Sequence, residues 1–354
     1  MSKILTIIVP TYNMERLLGR CLQSLVLHVN ENLQRQTEVL VIIDGATDSS
    51  KKIALDYQNN YPDSFRVIEK ENGNYGSCVN RGLQEAQGKY VKILDADDSF
   101  DSEWYAQYLT KLLTLEADLI VSSGSFVDVD NQKWGDWRFE YETDRMYEVE
   151  DLRPLWIHYI TYKTIILKEI NYRQTEGISY TDEEWCFYPI LAVHNFYTLS
   201  MPLYRYTVGR EGQTMDPCKW IKSADQEVKV TMGLLHFIET NDYWKKSRVS
   251  AYLQQKLIER ISSFYQKMLI DYGLYDNENL LSLEDYLQKH NPEVYNQLSD
   301  VVASSKRITF HYIRYWRTHH PLTSLFNKFQ LYKGWLFLRG WLQRPFTEHL
   351  PTFL

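Results

Sequence analysis

Between residues 4 and 121 the chain alternates short β-branched, apolar runs with stretches of helical periodicity, and this leaves few folds open. The runs at 4–9, 39–43, 65–68, 90–94 and 118–121 read as strands. Between them, residues 15–27 place Leu18, Leu22 and Leu25 at helical spacing. Asp48 or Ser49 can cap a helix that reaches residue 61. Residues 77–86 read as a helix ended by Gly88, and 102–115 as another. Strands this apolar are buried on both faces, so the expected fold is α/β, a parallel sheet covered by helices on each side. Lys92, the cation within the run 90–94, is read as facing outward.

A chain of 354 residues suggests about two domains. Residues 122–215 are less regular, with strands expected at 196–199 and 203–208 and a helix over 183–192. From residue 219 the texture becomes helical. In 244–272, Leu253, Leu257, Ile261, Phe264 and Met268 form a stripe that reads as core rather than as a cofactor groove. A boundary near Pro217 divides an α/β domain, 1–216, from a mainly helical C-terminal domain, 217–354.

Cys21, Cys78, Cys186 and Cys218 have no C-x-x-C spacing, which speaks against zinc and fits a reducing compartment. The apolar run at 4–10 is too short for a signal peptide, and no run of about 18 apolar residues occurs. A cytoplasmic protein is expected. The net charge of −7 argues against nucleic acid as a partner. Residues 306–347 are the exception in charge. They hold eight Lys and Arg with no acid, and Trp316, Trp335 and Trp341 lie among them, while the rest of the chain carries −15. Such a tail fits peripheral contact with an anionic membrane on the cytoplasmic face, or the solvated basic face of a helical subdomain.

Chemistry concentrates where strands end. Asp95-Ala96-Asp97-Asp98 follows the run 90–94, so three carboxylates crowd one strand end. Their mutual repulsion is relieved by a cation, and oxygen ligands suit Mg²⁺ or Mn²⁺ shared with substrate phosphates. A solvated acidic turn has the same composition. Pro10-Thr11-Tyr12-Asn13 and Asp44-Gly45 end two further strands, and in a parallel sheet all three ends share one rim. There Tyr12 can stack on a base and Asp44 can accept from a base N–H. No glycine-rich phosphate loop follows the first strand, which disfavours P-loop and dinucleotide folds.

Ile8-Val9-Pro10-Thr11-Tyr12-Asn13, then Asp44-Gly45-Ala46-Thr47-Asp48-Ser49, then Asn80-Arg81-Gly82-Leu83 with Ala86, Gly88 and Tyr90, then Asp95-Ala96-Asp97-Asp98 follow in order. That order resembles the family 2 glycosyltransferases of the GT-A fold, over roughly residues 3 to 215. The resemblance implies an inverting transferase that uses a nucleotide-diphospho-sugar, often UDP-linked, and Mn²⁺ or Mg²⁺. Pro10, Thr11, Tyr12, Asn13 and Asp44 would then lie at the base. The Asp95–Asp97 stretch would face ribose or sugar, and Asp97 and Asp98 would hold the metal. Two positions depart from the family. Ile43 stands where an acid is usual, and Val79 where Arg is common.

The resemblance also implies a catalytic base at a helix start, and Asp182 in Thr181-Asp182-Glu183-Glu184 falls there. Ordinary N-terminal capping by Thr181 or Asp182 explains the same residues. Arg210, between Gly209 and Gly212, suits a loop that closes over a diphosphate, or a plain surface hairpin. The acceptor implied is a glycan or lipid-linked glycan, as in surface polysaccharide assembly. Two alternatives stand beside this: a sugar-nucleotide-forming nucleotidyltransferase, and a non-catalytic sugar-nucleotide-binding protein.

Overall fold

A computed structural model describes residues 2–27, 30–137, 139–210, 216–305, 308–321, 328–329 and 331–333. In chain order the first elements are β1 (Leu5–Thr11), α1 (Leu18–Gln23), α2 (Glu31–Arg35), β2 (Thr37–Asp44), α3 (Ser50–Asn60) and β3 (Phe65–Lys70). There follow α4 (Asn74–Glu85), β4 (Tyr90–Ile93), β5 (Ser99–Phe100), α5 (Ser102–Leu112), β6 (Leu119–Val127), β7 (Lys133–Asp136) and β8 (Arg145–Glu148). Next come β9 (Ile160–Lys163), α6 (Thr164–Glu169), α7 (Asp182–Trp185) and β10 (Asn195–Thr207). The C-terminal elements are α8 (Pro217–Thr240), α9 (Ser250–Gln266), α10 (Glu278–His290), α11 (Pro292–Leu298), β11 (Ala303–Ser305), β12 (Ile308–Phe310) and α12 (Tyr312–His319).

The main sheet has the order β3-β2-β1-β4-β9-β6-β10-β5. Its first four strands are parallel, as the alternation predicts. Beyond β4 the sheet is mixed: β9 runs antiparallel to both β4 and β6, and β10 parallel to β6. Burial explains the composition of the parallel half. Every residue of β2 is buried, and Val39, Val41 and Ile43 join the core with Leu18, Leu22, Tyr105 and Leu109. Each such apolar side chain contributes about 1.5–3 kcal/mol.

Four local expectations are corrected. Lys92 does not face outward but is fully buried, because a strand covered on both faces has no outward side. The helix expected over 15–27 shortens to α1, whose end passes through turns to Val26. The helix expected over 183–192 breaks into α7 and a short 3-10 turn, Pro189–Ala192, since proline cannot donate within a helix. The strands expected at 196–199 and 203–208 are one strand, β10, with register irregularities near Pro202.

The chain divides into two compact units, Met1–Val230 with Asn241–Gln254, and Thr231–Thr240 with Gln255–Leu354. The first contains the sheet. In the second, Arg317 grips Glu284 through Nε at 2.7 Å and Nη2 at 2.9 Å, and its guanidinium lies over the Tyr295 ring. The stripe of Leu253, Leu257, Ile261, Phe264 and Met268 is buried, as core. Among the described residues no helix is long and apolar enough to cross a membrane. Most of the basic tail, including Trp335, Arg339, Trp341 and Arg344, lies outside the described residues.

Candidate active site

β1, β2 and β4 are parallel neighbours in register, Thr11 opposite Ile43 and Ile8 opposite Ile93. Their carboxyl ends therefore carry Pro10–Asn13, Asp44 and Asp95–Asp98 to one rim. Thr11 is buried, its hydroxyl turned back on the Val9 carbonyl at 3.0 Å. Tyr12 is 52% exposed and offers a ring face at the rim. Asn13 takes a left-handed φ of 52° and accepts from Thr47 N at 2.8 Å, so it ties the β1 and β2 loops together.

Asp44 is buried and its carboxylate organises the next loop. Oδ1 accepts from Lys70 Nζ at 2.6 Å and Gly73 N at 2.9 Å, and Oδ2 from Asn74 N at 3.0 Å. The Cys78 thiol is a further hydrogen-bond partner of this carboxylate.

Asp95–Asp98 form a turn closed by Asp98 N to Asp95 O at 3.0 Å. Ala96 is buried beneath it. Asp98 is buried and accepts from Tyr204 Oη and Thr207 N, each at 2.7 Å. Burial, then the charges of Asp97 and Asp95, push its carboxyl well above the usual carboxylate range. Asp97 is ion-paired with Arg210, and its carbonyl accepts from Arg20 and Thr207, each at 2.7 Å. Burial raises the Asp97 carboxyl and Arg210 opposes the rise. Asp95 accepts from Tyr75 Oη at 2.9 Å and faces His158 Nε2 at 3.5 Å.

Asp182 opens α7 and is half-buried. Its charge acts on Tyr75, the tyrosine bonded to Asp95. Burial and then Asp98, Asp97, Asp95 and Asp182 all raise the Tyr206 hydroxyl, so that one ring senses all four carboxylates. The charge of Asp182 is thus felt at two tyrosines that also feel the Asp95–Asp98 turn. Thr181, the residue before α7, makes no cap hydrogen bond and instead accepts from Gln174 Nε2 at 2.9 Å. Tyr180 takes a φ of 66°, strained for a bulky residue, and its hydroxyl meets Ser223 Oγ at 2.8 Å.

A strap holds this segment to α4. Asn80 Nδ2 donates to Gln174 O, and Gln174 N donates to Asn80 Oδ1, both at 2.8 Å. Glu184 accepts from Thr175 N and Oγ1, both at 2.7 Å.

The sequence reading missed Tyr75, Tyr204, Thr207, Arg20 and His158. None lies in a spacing motif, and strand pairing alone brings Tyr204 and Thr207 of β10 to the rim. One ligand atom each from Asp95, Asp98 and His158 lies within 4.8 Å of the others. Two carboxylate oxygens with one imidazole are a donor set that fits a divalent cation, which would relieve the repulsion between the carboxylates.

Residues 6–172 match the family model described as Glycosyl transferase family 2. The fold is a GT-A fold, and the stretch 6–172 is similar to the family 2 glycosyltransferases. It is similar to a Staphylococcus epidermidis teichoic acid poly(glycerol phosphate) polymerase, 22% identical over 84% of this chain and 42% of that one. Staphylococcus aureus TarS in complex with UDP-GlcNAc superposes with a TM-score of 0.60 at 20% identity, covering 82% of each chain. A Pyrobaculum calidifontis mannosyltransferase bound to GDP-Man and Mn²⁺ superposes at 0.52 and 14% identity, covering 94% of this chain and 84% of that one. Three further curated glycosyltransferases are 29–39% identical over 99–195 residues, and the chain spans only 20–54% of their length.

Proposed function

We propose that this chain transfers a sugar, with inversion, from a nucleotide-diphospho-sugar to a hydroxyl of a surface glycan acceptor. The observation that carries this is the rim where Tyr12, Asp44 and Asp95–Asp98 meet at the ends of three parallel strands, within the stretch 6–172 that matches the family model. Strain at Tyr180, just before Asp182, is a cost that a functional site explains. A UDP-linked donor and a cell-surface polymer as acceptor are supported by the likeness to the UDP-GlcNAc-bound TarS and to the teichoic acid polymerase.

In this reading Tyr12 stacks on the base, flanked by Pro10, Thr11 and Asn13. Asp44 holds the loop beside it and pairs with a base N–H by giving up one of its present partners. Asp97 and Asp98, with Asp95, would hold Mn²⁺ or Mg²⁺, which when bound neutralises charge on the diphosphate leaving group. Arg210, now paired with Asp97, would be free to meet the diphosphate once a cation is held by these carboxylates. Asp182 takes the proton of the acceptor hydroxyl as its oxygen bonds to the anomeric carbon and the nucleotide diphosphate departs with the bonding electrons.

A screen of UDP- and GDP-sugars with Mn²⁺ tests the reading. A true donor at 100 times its dissociation constant stabilises the fold by about 2.7 kcal/mol, read as a rise in melting temperature. NMR of the product then reports the anomeric configuration. A flat screen across all donors, or retention at the anomeric carbon, defeats the proposal.

A further inference from the structure

We infer that His158 is a direct ligand of the divalent cation, sharing it with Asp95 and Asp98. This rests on the metal-dependent reading above and goes beyond it, since that reading drew its ligands from carboxylates alone.

The spacing is the first argument. Ligand atoms about 2.1 Å from a cation lie about 3 Å apart when adjacent and about 4.2 Å apart when opposite. His158 Nε2 is 3.5 Å from Asp95 Oδ2, and the three ligand atoms fall within 4.8 Å of one another. Closing that set around an ion takes movements of tenths of an ångström.

The second argument is unspent bonding capacity. The His158 side chain is only 15% exposed. Its Nδ1 is buried without a hydrogen-bond partner among the described residues. Its Nε2 reaches Asp95 only at 3.5 Å, beyond a good hydrogen bond. Nε2 is the nitrogen that faces the carboxylates, and an ion there gives it the partner that Asp95 at 3.5 Å does not, while Nδ1 keeps none among the described residues.

The third argument is that the ring cannot turn away. It packs against Tyr204 at 4.6 Å, Tyr206 at 5.1 Å and Trp137 at 5.9 Å between centroids. Lys92 Nζ, inside the sheet, donates to the His158 carbonyl at 2.7 Å and to the Ile160 carbonyl at 3.2 Å, which pins the backbone on either side of Tyr159. A histidine free to serve as a surface group needs none of this.

The test is Mn²⁺ binding to the full chain, followed by electron paramagnetic resonance with Mn²⁺ alone and with inorganic pyrophosphate. Nitrogen modulation of the Mn²⁺ signal is expected, and ¹⁵N-histidine labelling should change its pattern. His158→Ala should abolish the modulation and weaken Mn²⁺ by at least about tenfold, the lower end of what losing even a supporting partner of a ligand costs. The labelling arm needs no variant, so a poorly folding His158→Ala leaves the test intact. Mn²⁺ bound without nitrogen modulation overturns the inference and leaves the transferase reading standing. Absence of Mn²⁺ binding, with or without pyrophosphate, overturns both the inference and the metal dependence beneath it.

Discussion

Asp182 and Lys92 show what single side chains are asked to do here. Asp182 lies inside the first turn of α7, after a Thr181 that makes no cap bond. A dipole role alone is worth about 0.3–1 kcal/mol of stability and nothing in turnover. A base role predicts that Asp182→Asn lowers transfer by about two to four orders of magnitude, with donor affinity and melting temperature nearly unchanged. Transfer within a few-fold of the parent would return Asp182 to a helix-end role.

Lys92 makes a prediction in pH. Burial lowers its amine to about 7, against an ordinary value of 10.5. Between those values the unfolded chain binds more protons than the folded one, so the unfolding free energy rises with pH across that window. Lys92→Met removes the group and should flatten that rise in denaturant titrations from pH 7 to 10. The slope is the readout, because the variant also leaves the His158 and Ile160 carbonyls unpaired, a loss of about 1–3 kcal/mol at any pH. A slope unchanged in the variant would assign the pH dependence elsewhere. Residues at strand ends were legible in the sequence, because a parallel sheet sends its strand ends to one side. His158 was not, because Trp156-Ile157-His158-Tyr159 carries no periodicity, and only the insertion of β9 beside β4 gives it an acidic neighbour.

At the scale of elements, β6 and β10 support the rim from behind. Gly124 in β6 lies so close to its neighbours that an added Cβ would stand 2.6 Å from both the Trp137 ring and the Tyr204 carbonyl. Trp137 packs on His158 and on Tyr204, and Tyr204 bonds Asp98. Gly124→Ala should therefore cost about 1–3 kcal/mol and also weaken Mn²⁺ binding. Gly135 in β7 has open space, and Gly135→Ala should stay within about 0.5 kcal/mol. Equal melting temperatures for the two variants would refute the packing argument. Up to β6 the main strands and helices were legible, apart from the overlong helix at 15–27 and the short α2 and β5. Placement failed around α7, where Pro189 ends the run in a 3-10 turn, and at β10, where the strand runs on past Pro202 with only a shift of register.

At the scale of the molecule, composition suggested a boundary near Pro217, and the parallel half of the sheet was legible in the alternation of runs. The mixed half of the sheet was not, since antiparallel insertion of β9 is decided by long-range pairing rather than by any local run. The strap between α4 and α7 has a pharmacological consequence. On the proposed reading, the bonds among Asn80, Gln174 and Thr181 hold the span from the proposed nucleotide rim to Asp182 before any substrate arrives. An inhibitor that joins a nucleotide mimic to an acceptor mimic then meets two anchor points whose separation it need not impose. The ordering cost is already met, so the free energies of its two halves combine almost fully when the linker matches the span. A linker a few ångströms short forfeits one half outright, which makes linker length, more than the chemistry of either end, the variable that decides affinity.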